Sequence, residues 1–254
     1  MKILVSPTKT MAFDKTPALL PLEMSRPIFE KEAEILNREL TTLDFGALKK
    51  LFKTSDGLTQ KSQDQIQNFA LAAPEPALFV FQGEAFKTMD PQGFDPGQLA
   101  FANENLQILS GLYGVLRPMD GIRPHRLDFN TPLCLGSKGI KQFWQKKIIP
   151  FFENQIGKDE MILNLASQEY SSILSTSYLK DQIITLQFRE REKGKLKNLS
   201  VRAKQARGLF AGKIIQKKLT NAKAIKKLTL AGYGYATDLS TKTEWFFIRR
   251  QGDK

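Results

Sequence analysis

Residues 108–130, ILSGLYGVLRPMDGIRPHRLDFN, decide how the chain is read, because glycines, prolines, arginines and a tyrosine crowd a space where an ordinary element would show periodicity. Residues 106–109 are apolar and short enough for a buried strand, which Ser110-Gly111 interrupts. Gly111 and Gly114 have no Cβ, so another backbone or a ligand can come close to them. Arg117, Arg123 and Arg126 follow within ten positions, each beside or near a proline that stiffens the chain. Guanidinium forks on a rigid loop suit phosphate or carboxylate. The same arginines can instead be surface charges pairing with Asp120 and Asp128. Three of them in one Gly/Pro frame favour a site.

Outward from this stretch, three more strand-length apolar runs pass straight into polar groups. Residues 2–5 lead to Ser6, Lys9 and Thr10, residues 77–81 to Gly83, and residues 161–165 to Ser167, Glu169 and Tyr170. Strand-to-loop junctions of this kind are where open α/β sheets place ligand-binding groups. Together with Ser110, Gly111 and Tyr113 these residues make the expected pocket. The segment after residue 5 lacks the glycines of a phosphate-binding P-loop.

Helical spacing covers residues 28–40, 45–51 and 60–72, with Ile28, Ala33, Leu36 and Leu40 on one inner face. Asp95 and Pro96 read as N-cap and first residue of a helix running to residue 105. A helix over 138–152 carries the stripe Ile140, Phe143, Trp144, Ile148 and Phe151, which is core. Residues 183–188 and 196–201 form a hairpin-like pair around the charged turn 189–195, and strands follow at 230–235 and 245–249. The expected fold is a single α/β domain over residues 1–254, with a mixed, partly antiparallel sheet flanked by helices and a basic cleft.

Composition narrows the function classes. The 41% hydrophobic and 25% charged content is globular, which leaves disorder only to the 251–254 tail. A single cysteine, Cys134, excludes an internal disulfide framework, and with the single histidine, His125, it argues against a His/Cys metal site. Carboxylates remain available as ligands, but no metal or cofactor is expected. No apolar run approaches a membrane span and the amino terminus opens on MKILVS, so a cytoplasmic location without membrane attachment is expected.

The net charge of +12 is local. Between Arg189 and Lys227 lie fourteen Lys/Arg and two acids, so this segment alone carries all of it. Confined charge gives a directed field that favours a polyanion, although a solvated lysine-rich surface has the same composition. The helix expected over 202–219 interleaves Arg202, Lys204, Arg207 and Lys213 with apolar residues on more than one side. Packed on two sides, it would aim some of those charges into a cleft.

The segments KILVSPTKTM, FQGEAFKTM, ILSGLYGVLRPMDGIRPHRLDF, LNLASQEYSSIL, AKQARGLFAGKII, GYGY and WFFIRR, in this order over nearly the whole chain, resemble the YaaA family of bacterial peroxide stress proteins. The family more often shows SPAKT, PYRLEMGT and ARGLMARYI. Thr8, His125, Asp128 and Phe129-Asn130 are therefore departures, the last pair bearing on loop shape. The resemblance implies a mixed α/β protein that binds DNA through a basic cleft and protects cells from hydrogen peroxide by limiting damage from unincorporated iron. The LSGLYG turn is also similar to a helix-hairpin-helix, whose glycine amides meet phosphates.

Two functions then stand as expectations. As a DNA-binding stress protein, the chain would set Arg117, Arg123, Arg126, Lys204, Arg207 and Lys213 against phosphates of double-stranded or damaged DNA. As an enzyme acting on a nucleobase, nucleoside or damaged DNA, it would use Lys9 as nucleophile or oxyanion partner, Glu169 as acid or base, and Tyr113 to stack on a base. A small nucleobase-like or anionic ligand fits either.

Overall fold

A computed structural model describes residues 1–192 and 194–250. The 251–254 tail and Lys193 of the charged turn lie outside the described residues. One sheet is built from β1 (Lys2–Val5), β2 (Leu106–Ser110), β3 (Gly114–Leu116), β4 (Ile162–Asn164), β5 (Ile183–Glu192), β6 (Lys195–Lys197), β7 (Tyr233–Tyr235) and β8 (Glu244–Arg250). Its order is β7-β8-β5-β4-β1-β2-β3, with β6 paired to the far end of β5. The five central strands β8, β5, β4, β1 and β2 are parallel, while β3, β6 and β7 join antiparallel. The sheet is mixed, as the strand pattern implies. Every residue of β2 and β4 is buried, so these segments show no in–out alternation, and their polar members Gln107, Ser110 and Asn164 are buried with the rest.

The helices are α1 (Glu30–Thr41), α2 (Phe45–Phe52), α3 (Asp56–Gln67), α4 (Ala77–Val80), α5 (Glu84–Met89), α6 (Pro96–Asn105), α7 (Ile140–Gln155), α8 (Gln168–Ser171), α9 (Ser200–Gln216) and α10 (Ala222–Lys226). Among the described residues, no helix is long and apolar enough to cross a membrane. Asp95 caps α6 as expected, accepting from the Gln98 amide at 2.7 Å while the Gln98 side chain returns to the Asp95 N–H at 3.0 Å. In α1 the buried face is Ala33, Leu36 and Leu40, but the helix begins after Ile28, which stays 43% exposed.

Helix α9 is held from two directions. Phe210 sets its ring 4.9 Å from Phe188 of β5 and 4.7 Å from Phe247 of β8, fixing the helix to the sheet. On another side, α5 lies directly on Gly208 and Gly212. A Cβ at Gly208 would stand 1.9 Å from the Ala85 carbonyl oxygen, and one at Gly212 2.5 Å from that of Met89. Thr88 locks this contact by donating to the Gln205 carbonyl at 2.8 Å.

The central stretch is a strand hairpin, which corrects the helix-hairpin-helix likeness. β2 turns through Gly111, Leu112 and Tyr113 into β3, and the Ser110 hydroxyl accepts the Tyr113 N–H at 3.1 Å. Gly114 sits at φ +70° under Trp144, whose indole N–H donates to the Gly111 carbonyl at 2.8 Å. A side chain on Gly111 would strike the Leu127 carbonyl at 2.2 Å, so the close approach allowed by glycine here is made by the chain itself.

Other expectations shift. Residues 77–81 are not a strand but the single turn α4, because the N–H groups of Ala77 and Leu78 donate to the Asp120 and Pro118 carbonyls and so start a helix. Burial is nearly complete either way, and apolar run length alone does not separate the two. The second arm of the charged hairpin is only Lys195–Lys197, since α9 already begins at Ser200. Positive φ at Ala231 and Gly232 restricts the 230–235 strand to Tyr233–Tyr235.

Candidate functional site

Strands β1 and β4 are neighbours, and the chain leaves their carboxyl ends in opposite directions, to β2 on one side and to β5 on the other. In a parallel sheet this is the place where a crevice opens. The two exits are tied to each other there: the Ser6 hydroxyl accepts the Ser167 N–H at 2.8 Å and lies 3.2 Å from the Ser167 hydroxyl.

A cavity of about 560 Å³ stands over this junction. Ser6, Lys9 and Thr10 line it from β1, Gly83 from the turn before α5, Ser167, Glu169 and Tyr170 from the exit of β4, and Lys204 and Arg207 from α9. Three of the four polar junctions thus converge. Gly83 matters because a Cβ there would sit 2.5 Å from the Thr8 hydroxyl, so its absence lets the two loops close on one another.

Asp128 organises the floor. Lys9 Nζ lies 2.6 Å from one of its carboxylate oxygens, and the Tyr170 hydroxyl donates to the other at 2.7 Å. Burial, with the charge of Asp128 and this hydrogen bond, pushes the Tyr170 phenol above its ordinary range. Glu169 is also pushed up, by burial first and then by Asp128, while Lys9 and Lys204 work against the shift. Two carboxylates beside one ammonium make an arrangement that can exchange a proton or receive hydroxyl and N–H donors.

Arg207 is the unsatisfied member. Its Nε is buried and finds no acceptor, and the charge that acts on it is Arg189, another cation. Desolvation and that repulsion weaken its hold on its proton. The lining also includes Lys87 and Glu84, so four cations face three carboxylates and the cavity is mixed in charge.

The rest of the central stretch lies elsewhere. Arg117 clamps the fully buried Asp120 through its backbone N–H, Nε and Nη2 at 2.8, 3.1 and 2.8 Å, the ordinary pairing the sequence left open. Arg123 lies over the Phe69 ring at 5.6 Å, donates to the Ala72 carbonyl at 3.1 Å and approaches Glu30 at 3.6 Å. Neither lines this cavity, nor do Arg126 and Lys213. Tyr113 is wholly buried, with its hydroxyl accepting the Arg123 N–H at 3.0 Å and its pKa pushed up by desolvation to about 12. Like Ser110 and Gly111 it belongs to the core, out of reach of a ligand. What the stretch delivers to the site is Asp128, which sequence reasoning had only as a partner for the arginines. Thr8, Glu84 and Lys87 were also missed, although their places beside Lys9 and Gly83 were a usable signal.

Among the described residues, no three His, Cys, Asp or Glu side chains are grouped to hold a metal ion. A family model described as peroxide stress protein YaaA matches residues 1–239. A UPF0246 protein of Desulforapulum autotrophicum is 42% identical, the match covering 98% of this chain and 99% of that protein. UPF0246 proteins of Clostridium botulinum and Crocosphaera subtropica are 38% and 33% identical, covering 97% and 98% of this chain and 98% and 100% of theirs. With a match of this extent, the chain belongs to the YaaA family of peroxide stress proteins.

Proposed function

We propose that the protein acts in peroxide stress by binding DNA, holding the phosphate backbone between the basic segment 189–227 and the cavity over β1 and β4. The observation that carries this reading is Arg207, a partly buried guanidinium with a buried, unpartnered Nε on the cavity wall beside Lys204. An uncompensated cation at a cavity mouth is completed by an anion. The exposed Lys195 extends the same positive field outwards. Phosphates covered in this way are withheld from ferrous iron, which links DNA binding to limiting damage from unincorporated iron. Fluorescence anisotropy of a labelled duplex across a salt series tests it. Lys204→Glu with Arg207→Glu abolishes binding, and log affinity of the wild type falls linearly with log salt. Full affinity of the double variant at moderate salt sinks the proposal.

A second reading has its own support in Glu169, whose raised carboxyl pKa beside the Lys9–Asp128 pair suits acid–base work on a nucleobase, nucleoside or lesion in the same cavity. Mass spectrometry of nucleosides and lesion-bearing duplexes, incubated with wild type and with Lys9→Ala, decides it. A product made by the wild type alone supports turnover; identical, unreacted substrates in both rule it out.

A further inference from the structure

We propose that Arg189 and Arg207 clamp one phosphate on a wall shared by two cavities, so that the ligand is a nucleotide chain crossing that wall with one unit on each side. This rests on the reading of the protein as a nucleic-acid binder and specifies what its site holds.

The second cavity, of about 460 Å³, opens between the exit of β4, strand β5 and the first turns of α9. It shares Ser167, Lys204 and Arg207 with the candidate site, and Arg189 of β5 lines the second cavity but not the first. Both volumes are of the size that encloses a small-molecule unit.

The charges lining the second cavity do not balance internally. Arg189 donates Nη1 to the Phe188 carbonyl at 3.0 Å and lies over the Phe246 ring at 6.0 Å, contacts that orient the guanidinium without neutralising it. Of the two carboxylates nearby, Glu190 is paired with a cation and Glu244 is not, which still leaves the three cations of the second cavity in excess. Glu190 takes Arg202 and the Tyr233 hydroxyl, and Glu244, which lines the second cavity, accepts from Gln187 at 3.1 Å. Two guanidinium forks and an ammonium then converge with more N–H donors than one carboxylate can accept, whereas a phosphate offers oxygens on every side. On one side of that phosphate stand Ser6, Asp128 and Glu169, acceptors for sugar hydroxyls or base N–H groups. On the other stand Gln187 and Asn198, neutral amides suited to a base edge.

Calorimetric titration of the intact protein with thymidine, thymidine 5′-monophosphate and the phosphorylated dinucleotide pTpT, beside anisotropy with a labelled duplex, tests this. The expected order is pTpT tightest and thymidine weakest. Arg189→Ala weakens pTpT about tenfold and leaves thymidine unchanged. Arg189→Lys, which keeps the charge and loses the fork, falls between, and it decides the matter should Arg189→Ala melt below the assay temperature. Unchanged pTpT affinity in both variants overturns the proposal, as does pTpT binding no better than the monophosphate. The duplex arm separates the two levels. Salt-dependent duplex binding with no Arg189 effect on pTpT leaves the DNA reading standing and removes the clamp. Arg189-dependent pTpT binding with no duplex affinity keeps the clamp and removes the DNA reading.

Discussion

Replacing Gly208 by alanine tests how the candidate site is built. The new methyl would stand 1.9 Å from the Ala85 carbonyl oxygen, 2.3 Å from the Thr88 hydroxyl and 2.6 Å from the Ala85 carbonyl carbon. Two of these atoms are backbone, so a rotamer change does not relieve the clash. Restoring ordinary contact at about 3.5 Å means moving α5 off α9 by about 1.5 Å, which breaks the Thr88–Gln205 hydrogen bond. Overpacking of this kind costs about 1–3 kcal/mol or more, and the lost hydrogen bond adds about 1 kcal/mol. Alanine returns about 1 kcal/mol through helix propensity, leaving a net loss of about 2 kcal/mol. Urea unfolding measures it as a fall in midpoint at constant slope. Gly57→Ala in α3 is the control, since nothing lies within 4 Å of its Cβ and a gain of several tenths of a kcal/mol is expected. Because α5 carries Glu84 and Lys87, Gly208→Ala also weakens ligand binding in the cavity. A Gly208→Ala protein as stable as the wild type refutes this account of the helix contact.

Three further outcomes are expected. Asp120→Ala leaves Arg117 without its counterion and removes an acceptor also used by Ser25, costing about 3 kcal/mol in urea unfolding. His125 is buried and its pKa is lowered by desolvation to about 4, so below pH 6.5 the unfolded chain takes up a proton that the folded one refuses. Stability from this residue is therefore lost as pH falls from about 6.5 towards 4, by about 2 kcal/mol at pH 5, and His125→Phe shows a correspondingly flatter acid limb. For Glu169 the sign is opposite, because its folded pKa is raised: ionisation is a cost above that value and none below the ordinary glutamate pKa. Glu169→Gln is thus modestly more stable than wild type at pH 7, and the difference vanishes near pH 4.

Local chemistry was legible in the sequence; long-range partners were not. Asp95-Pro96 announces α6 because the cap is made within three residues, and Arg117 finds Asp120 at the same separation. The junctions after β1 and β4 are readable too, since an apolar run ending in hydroxyls and charges marks a buried strand reaching a surface. The destination of Arg123 was hidden, because Glu30 of α1 and Phe69 and Ala72 of the turn after α3 are far away in sequence. So was the role of Gly208 and Gly212: their spacing puts both on one face of a helix, but only the arrival of α5 gives that face a partner. For residues 77–81 the deciding contacts are two carbonyls of the 118–120 turn, information that no window around the run contains.

The site then rests on a division between two kinds of charge. Cations with local acids, such as Arg117 on Asp120, Arg202 on Glu190 and Lys197 on Glu192, stabilise the fold around the cavity and have little field left for a ligand. Arg207 and Arg189 differ, held in place by packing and carbonyl contacts instead of by carboxylates. Their mutual repulsion is a standing cost of the empty site that an anion between them would convert into binding energy. Lys9 is the intermediate case: Asp128 holds it at 2.6 Å, yet its side chain remains 57% exposed, so a bound group can compete for the ammonium without unfolding anything.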